Sequence, residues 1–316
     1  MSIQGTGFRT NGESGRTFRN LTRKAFTKEK SRKMAENFDL RDENILTVDD
    51  VLKYKLLGQG NTAEIFLYKD VTVLKLFRDG FPQSGIMKEW NVTRAVQKVY
   101  GRMPKALRLV RCGERAGILY ELAEGQDLFR MIGSNPFLLL KAGKKLAELH
   151  AEIHKKEIDG ILTVKEKLCQ EIGWVKELSE DEKQKIIDRL LLLPDNKQLC
   201  HFDFHPGNIM VSVEKTLVLD WLTACSGESA ADIARTCILL KYGEIQNGDR
   251  LSELILSITK ACIRGAYIRN VLRLSGITRY EIKQWFVPVA AARLSEWLTE
   301  HEKERLLKLI RKHLYE

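Results

Sequence analysis

The chain has 316 residues, of which 44% are hydrophobic and 30% charged, and its 52 basic and 42 acidic side chains give a formal net charge of +10. This composition is typical of a globular protein, and the length favours two lobes over a single core. No apolar run approaches the ~20 residues that span a bilayer, and residues 1–9 lack the apolar stretch of a secretory signal. The six cysteines stand singly, so we expect a cytoplasmic protein with reduced thiols rather than a membrane-spanning or disulfide-stapled one.

Residues 1–44 are polar and rich in lysine and arginine. They offer few apolar side chains to bury, which predicts a mobile or loosely docked basic arm. Because Phe8, Phe18 and Phe26 interleave the basic residues, contact with nucleic acid stays open as an alternative. No recognised nucleic-acid module is present in the arm, which favours a solvated segment.

Strand-like runs begin near Val51 and enclose a glycine-containing hairpin between residues 54–57 and 64–68. A dinucleotide fingerprint places its glycines between a strand and a helix, so this hairpin argues against a Rossmann site. It favours a flap whose backbone closes over phosphates, since glycine allows approach where a side chain would collide. The candidate flap residues are Gly58, Gln59, Gly60 and Asn61.

Lys75 lies within the apolar strand-like run 71–77, where an unpaired ammonium would be costly to bury. The single carboxylate between Asp79 and Glu114 is Glu89, on the helical stretch 85–100. We expect a Lys75 to Glu89 ion pair that aims the lysine at the phosphates of a nucleotide. An exposed lysine on an edge strand and an ordinary surface glutamate remain the alternatives.

Two further strands, over residues 107–110 and 117–122, lead to an extended connector that ends at Gly125. The backbone of this connector can face the edge of an adenine, and we place the lobe boundary at residue 125. The lobes are therefore residues 45–125 and 126–316, and the second has helical periodicity from residue 136 onward. His150 and His154 lie four residues apart on a helix, but the glutamate of a zinc protease motif is missing, which favours packing or surface roles.

Polar side chains stand in an apolar setting between residues 199 and 222. They are His201, Asp203, Asn208 and, after a short strand, Asp220. Phosphoryl transfer uses one carboxylate to orient the attacking hydroxyl, and an amide with a second carboxylate to hold magnesium. The alternative is a surface turn followed by an unrelated buried strand.

In this order the residues resemble the protein-kinase-like superfamily. The form His-x-Asp-x-His-Pro-Gly-Asn, followed by Asp220-Trp221-Leu222, resembles its aminoglycoside phosphotransferase and choline kinase branch. The resemblance implies an α+β, bilobal fold, with a five-stranded antiparallel sheet and one helix before a larger helical lobe. It further implies that Asp203 is the catalytic base, that Asn208 and Asp220 bind Mg²⁺, that Lys75 with Glu89 contacts the phosphates, and that backbone groups of Glu121 and Ala123 bind adenine. His201 would hold the loop in shape, and Asp232 would brace it by hydrogen bonds.

About a dozen residues separate Asp220 from Asp232, which leaves no room for the activation segment of a protein kinase. We therefore expect an enzyme that uses ATP (or GTP) and Mg²⁺ to phosphorylate a hydroxyl of a small molecule. Residues 227–316 would form a substrate subdomain, with helices over 230–241, 252–274, 278–298 and 301–315. Its arginines, such as Arg264 and Arg269, suit a neutral or anionic alcohol at least as well as a polycation, which would favour clustered acids. The alternative is that these arginines simply form the solvated faces of helices. A nucleotide-binding regulatory protein with a basic arm, or an atypical protein kinase, remains the alternative.

Overall fold

We describe a computed structural model of the chain, which covers residues 46–47, 51, 53–60, 62–69, 71–134, 136–244 and 250–315. The expected basic arm, residues 1–44, lies outside this described part. Asn61 of the expected flap lies outside it as well.

The N-terminal lobe is an antiparallel sheet with one helix, as the sequence predicts. Its strands are β1 (Leu46–Thr47), β2 (Lys55–Gln59), β3 (Ala63–Lys69), β4 (Thr72–Phe77), β5 (Ala106–Cys112) and β6 (Arg115–Glu121). They lie in the order β1-β5-β6-β4-β3-β2. Strands β2 to β6 pair antiparallel, and β1 adds a short parallel edge to β5. Helix α1 (Gln83–Val96) connects β4 to β5 and packs on β5 and β6.

The alternation of side chains along β4 decides which way Lys75 faces. Leu74 and Leu76 are fully buried in the cluster on one face of the sheet. Because successive side chains of a strand point to opposite faces, Lys75 lies on the other face. Phe77 shares that face and packs with Ile86 of helix α1. The lysine is thereby directed toward the helix rather than into solvent.

The C-terminal lobe is mainly helical. Its helices are α2 (Leu128–Ser134), α3 (Leu139–His154), α4 (Val164–Trp174), α5 (Glu180–Leu192), α6 (Ser229–Tyr242), α7 (Arg250–Ser275), α8 (Arg279–Gln284), α9 (Phe286–Arg293) and α10 (Glu300–Leu314). One buried apolar cluster runs through the lobe and includes Leu146, Ile233 and Tyr267. Within the described ranges, no helix combines the length and apolarity needed to cross a bilayer.

The structure corrects one predicted helix. Instead of a single helix over residues 278–298, α8 ends at Gln284 and α9 begins at Phe286. Pro288 explains the break, because it has no N–H to donate to the carbonyl group four residues earlier. A proline is tolerated in the first turn of a new helix, where that hydrogen bond is missing anyway.

Two small sheets hold the segment with the candidate base. Strand β7 (Gln126–Asp127) pairs with β9 (Ile209–Val211), which pairs with β10 (Thr216–Val218). Strand β8 (Gln198–Cys200) pairs with β11 (Cys225–Gly227). Residues 201–208 are therefore a loop between two fixed strands.

Gly125 marks the junction between the lobes. Its φ is 118°, and a β-carbon there would lie 2.1 Å from the carbonyl oxygen of Val211. Only glycine allows both this backbone conformation and this close approach. The turn into the second lobe therefore lies directly against the strand that follows loop 201–208.

Candidate active site

A buried ion pair joins strand β4 to helix α1. Lys75 Nζ lies 2.7 Å from Glu89 Oε1, and the two side chains are 17% and 5% exposed. The hydroxyl of Tyr120 donates a hydrogen bond of 2.9 Å to the same carboxylate oxygen. Burial alone would lower the pKa of Lys75, but the carboxylates of Glu89 and Asp220 outweigh it and hold that pKa above its ordinary value. The Lys75 ammonium is therefore a permanent positive charge that interacts with the carboxylates of Glu89 and Asp220.

Two residues of the candidate site have a left-handed backbone conformation. Phe202, directly before Asp203, has a φ of 63°, and Asp220 has a φ of 57°. Residues other than glycine rarely adopt this conformation, and it persists only where surrounding contacts hold it. Such strain concentrates at functional sites, and at Phe202 hydrogen bonds to its backbone N–H and carbonyl groups hold it.

Asp232 of helix α6 supplies one of those contacts. Its fully buried carboxylate accepts hydrogen bonds from the backbone N–H groups of His201, at 2.6 Å, and Phe202, at 2.9 Å. The Nε2 atoms of His150 and His154 face it at 2.9 and 3.2 Å. Burial alone would raise the pKa of Asp232, but the two facing histidines hold it well below its ordinary value. The carboxylate thus fixes two consecutive peptide groups of the loop.

The paired histidines belong to this hydrogen-bonded hub. His150 Nδ1 lies 2.6 Å from the hydroxyl of Tyr267, and burial together with the neighbouring His154 lowers the pKa of His150 to about 4. Its ring is neutral at pH 7. Two imidazoles and a carboxylate this close are a possible donor set for a cation. However, the Asp232 carboxylate already receives two peptide N–H groups. Among the described residues, Nδ1 of the buried His154 has no hydrogen-bond partner.

Asp203 and Asn208 are joined through the amide of the asparagine. Asn208 Nδ2 donates to the backbone carbonyl oxygen of Asp203 at 2.9 Å and to its carboxylate at 3.2 Å. His205 Nε2 lies 3.7 Å from the same carboxylate oxygen, and its Nδ1 accepts the N–H of Gly207, which leaves the ring proton on Nε2. Burial alone would raise the pKa of Asp203, but His205, Arg235 and His201 outweigh it and hold the pKa below its ordinary value.

The donor set at Asn208 and Asp220 fits a magnesium ion. Both amide protons of Asn208 are directed at Asp203, so its side-chain oxygen remains available to another partner. Asp220 is exposed and contributes a carboxylate to the same cavity wall. An amide oxygen and a carboxylate are the hard oxygen ligands that Mg²⁺ prefers. These two residues therefore suit the metal that the family resemblance implies.

A cavity of about 390 Å³ lies between the lobes. Its walls bring Lys75 and Glu89 from the first lobe together with Asn208 and Asp220 from the second. The remainder of the lining is mostly apolar and includes Leu57, Ile65, Val73, Met103, Leu122, Met210, Leu219 and Trp221. The volume lies within the range of roughly 300–1,000 Å³ found for ligand sites. The cavity suits a ligand that combines an apolar ring with anionic groups.

Not every predicted nucleotide contact lies on this cavity. Gly58 and Ala123 line it, whereas Gln59, Gly60 and Glu121 do not. The carbonyl oxygen of Gly60 instead accepts hydrogen bonds from the guanidinium of Arg78 at 3.0 and 3.1 Å. The carboxylate of Glu121 lies 3.7 Å from Lys105. Among the described flap residues, only Gly58 therefore lines the cavity.

Three side chains at the site are not predicted by the sequence analysis: Tyr120, His205 and Arg235. His205 stands two positions after Asp203, and that spacing was a usable signal for a group beside the base. Tyr120 and Arg235 carry no such signal. An aromatic residue at a strand end and an arginine on a helix are ordinary in sequence, and only the fold turns them inward.

A family model described as "APH: Phosphotransferase enzyme family" matches residues 53–256. The solved structures that are similar to the chain include three aminoglycoside phosphotransferases. Aminoglycoside phosphotransferase APH(2'')-Ib with ADP bound is 16% identical, over 83% of this chain and 93% of its own, with a TM-score of 0.48. The streptomycin–ATP complex of APH(2'')-IIa is 16% identical, over 78% of this chain and 94% of its own, with a TM-score of 0.43. APH(3'')-Id from Streptomyces rimosus, with ADP and streptomycin, is 14% identical over 78% and 94%, with a TM-score of 0.46. No curated protein sequence matches the chain.

Proposed function

The chain belongs to the phosphotransferase enzyme family, and from that premise we propose that it transfers the terminal phosphoryl group of ATP or GTP to a hydroxyl group of a small molecule. One observation carries the proposal. The Lys75 to Glu89 ion pair from one lobe, and Asn208 with Asp220 from the other, line a single cavity beside Asp203. Phosphoryl transfer depends mainly on positioned charge, and this arrangement supplies it from both sides.

In the proposed reaction, the acceptor hydroxyl oxygen attacks the terminal phosphorus, and the bond from that phosphorus to its bridging oxygen breaks. The nucleoside diphosphate leaves, and the hydroxyl proton passes to the carboxylate of Asp203. The lowered pKa of Asp203 keeps this carboxylate ionised at neutral pH and ready to orient the hydroxyl. Lys75, held by Glu89, faces the phosphates. Asn208 and Asp220 would hold Mg²⁺, which supplies positive charge to the phosphate oxygens when bound.

We propose that the acceptor is neutral or anionic rather than polycationic. Two acidic side chains, Glu171 and Glu296, act on the charge of Arg235 near Asp203. Both are already in ion pairs, Glu171 with Lys167 and Glu296 with Arg235 and Arg293. A polycation would have to compete with these internal cations for carboxylates. A neutral or anionic alcohol avoids that competition.

The test is release of ADP or GDP from the nucleotide with Mg²⁺, in the presence of sugars, sugar phosphates, amino alcohols and aminoglycosides. Asp203→Ala should abolish turnover and leave nucleotide binding nearly intact, because Asp203 does not line the nucleotide cavity. Asp220→Ala should lose the binding that depends on Mg²⁺. Turnover of Asp203→Ala at the wild-type rate would refute the assignment of the base. Transfer of label from the nucleotide to protein would instead support an atypical protein kinase.

A further inference from the structure

The peptide groups on both sides of Phe202 are held by one helix. Its backbone N–H donates to Asp232 Oδ1 at 2.9 Å, and its carbonyl oxygen accepts a hydrogen bond from Arg235 Nε at 3.1 Å. Asp232 and Arg235 are three residues apart, so both face the loop from the same side of α6. The left-handed φ of 63° at Phe202 is therefore fixed from both ends. Because Asp203 follows directly, these two bonds also set where its carboxylate lies.

Arg235 is itself tied to the C-terminal helices. Its Nη2 lies 2.6 Å from Glu296 Oε1, and its side chain is 6% exposed. The second oxygen of Glu296 lies 2.7 Å from Arg293 Nη1. Arg293 Nε donates to Glu302 Oε1 at 2.7 Å, near the start of helix α10. Charges of alternating sign therefore run from the loop to α10, and we call Arg235, Glu296, Arg293 and Glu302 the charge chain.

Arginine is the residue that this position requires. One guanidinium donates to the Phe202 carbonyl through Nε and to Glu296 through Nη2, and its planar shape fixes the angle between the two bonds. Lysine has a single nitrogen on a flexible stem and cannot reproduce that geometry. Burial alone would lower the pKa of Arg235, but Glu296 and Asp203 outweigh it, so the positive charge is secure.

We propose that Arg235 is a positioning residue for the candidate base. It holds Phe202 in its left-handed conformation, places a permanent positive charge beside Asp203, and links the base through the charge chain to helices α9 and α10. Those helices lie in the expected acceptor subdomain, so the position of the base is coupled to the side from which the acceptor arrives. This inference rests on the proposed phosphotransferase function.

The experiment uses the full chain with ATP and Mg²⁺, with water as the acceptor in slow ADP release. Arg235→Lys keeps the charge but loses one of the two bonds, and the rate should fall by on the order of a hundredfold, as a small misplacement of a catalytic group does. KM for ATP should stay within about twofold, since Arg235 does not line the cavity.

A second readout does not depend on turnover. Hydrogen exchange at the backbone N–H group of Phe202 reports the peptide group that donates to Asp232 Oδ1. Arg235→Met loses the bond to the carbonyl oxygen of Phe202, so this N–H group should exchange faster than in the wild type, while the N–H groups of helix α1 should exchange at the wild-type rate. An arginine that does not hold Phe202 would leave the exchange at this N–H group unchanged.

Arg311→Met is the control for the loss of an arginine–carboxylate pair in the same lobe. Arg311 lies 3.0 Å from Glu182, but its side chain is 51% exposed and does not contact loop 201–208. It should change neither the rate nor the exchange at Phe202. If both Arg235 variants lose thermal stability but keep the wild-type rate and the wild-type exchange at Phe202, the inference is overturned. If Arg235→Met does not fold, Glu296→Gln replaces it: this variant should lower the rate by loosening Arg235, and an unchanged rate would count against the coupling. Absence of ADP release in the wild type with every acceptor would refute the proposed function, while the hydrogen exchange at Phe202 would still decide whether Arg235 holds this residue.

Discussion

Asn208 directs both protons of its side-chain amide at Asp203, one to the backbone carbonyl oxygen at 2.9 Å and one to the carboxylate at 3.2 Å. The same two bonds determine where the side-chain oxygen of Asn208 lies. One residue therefore fixes the candidate base and orients a candidate metal ligand. This double use explains why an amide, with two donors and an acceptor, suits the position better than a carboxylate.

The Asn208→Asp variant should keep a metal ligand at this position but lose the hydrogen bonds to Asp203. The new carboxylate is a good ligand for Mg²⁺, but it removes both donors and adds a like charge beside Asp203, which raises the pKa of one of the pair. We expect ADP release at pH 7 to fall by on the order of a hundredfold or more. The measurement is kcat at saturating nucleotide and Mg²⁺. Wild-type activity in Asn208→Asp would show that the two bonds are not needed.

Lys75→Met should break the buried ion pair and leave Glu89 charged without its cation. Removing one partner of a buried pair lowers the free energy of unfolding by about 3 kcal/mol, and KM for the nucleotide should rise. The double variant Lys75→Met/Glu89→Gln should regain much of the stability but not the nucleotide affinity. Urea denaturation and ADP release measure the two effects. The control is Lys105→Met at the exposed pair with Glu121, where little change in stability is expected.

His205 should influence the pH below which kcat falls. The base acts as a carboxylate, and its pKa is held below the ordinary value, so protonation of Asp203 should not reduce the rate between pH 5 and pH 8. His205→Ala removes one of the groups that lower this pKa, and the fall in kcat on acidification should begin at a higher pH. His205→Gln, which keeps a donor, should show a smaller displacement. Identical pH profiles in all three proteins would contradict this role.

His150 should make folding less favourable in mild acid. Its pKa is lowered from 6.5 to about 4 in the folded protein, so between these values the unfolded chain binds a proton that the folded chain does not. Stability is then lost as the pH falls from about 6.5 to about 4, by about 3 kcal/mol for this group. His150→Gln should flatten that part of the curve of unfolding free energy against pH.

Cys262 should be the first thiol to react with an alkylating reagent. It is exposed, whereas Cys169, Cys200, Cys225 and Cys237 are buried, and burial raises the pKa of each of these four thiols. Because the thiolate is the nucleophile, the buried thiols should react only after unfolding. Peptide mapping after brief iodoacetamide treatment checks this order. Early labelling of Cys200 would show that the loop opens readily.

Patterns close together in the chain allowed much of the site to be predicted. Lys75 in an apolar strand, with Glu89 as the single acid on the following helix, indicated an ion pair because a buried charge needs a partner. The loop residues Asp203 and Asn208 were identified by type and spacing. The flap contacts stay a prediction: Gly58 lines the cavity, whereas the carbonyl oxygen of Gly60 accepts hydrogen bonds from Arg78. Which of several neighbouring glycines approaches a ligand depends on the path of the hairpin, and spacing does not give that path.

The sequence by itself determined the two lobes, the order of sheet and helices, and which polar residues stand in apolar stretches, because periodicity and the cost of burying charge act over short lengths of chain. Only the tertiary structure decided which distant groups meet. Arg235 contacts Phe202 across 33 positions and Tyr120 contacts Glu89 across 31. Such contacts depend on how helices and strands pack, and no local pattern specifies that packing.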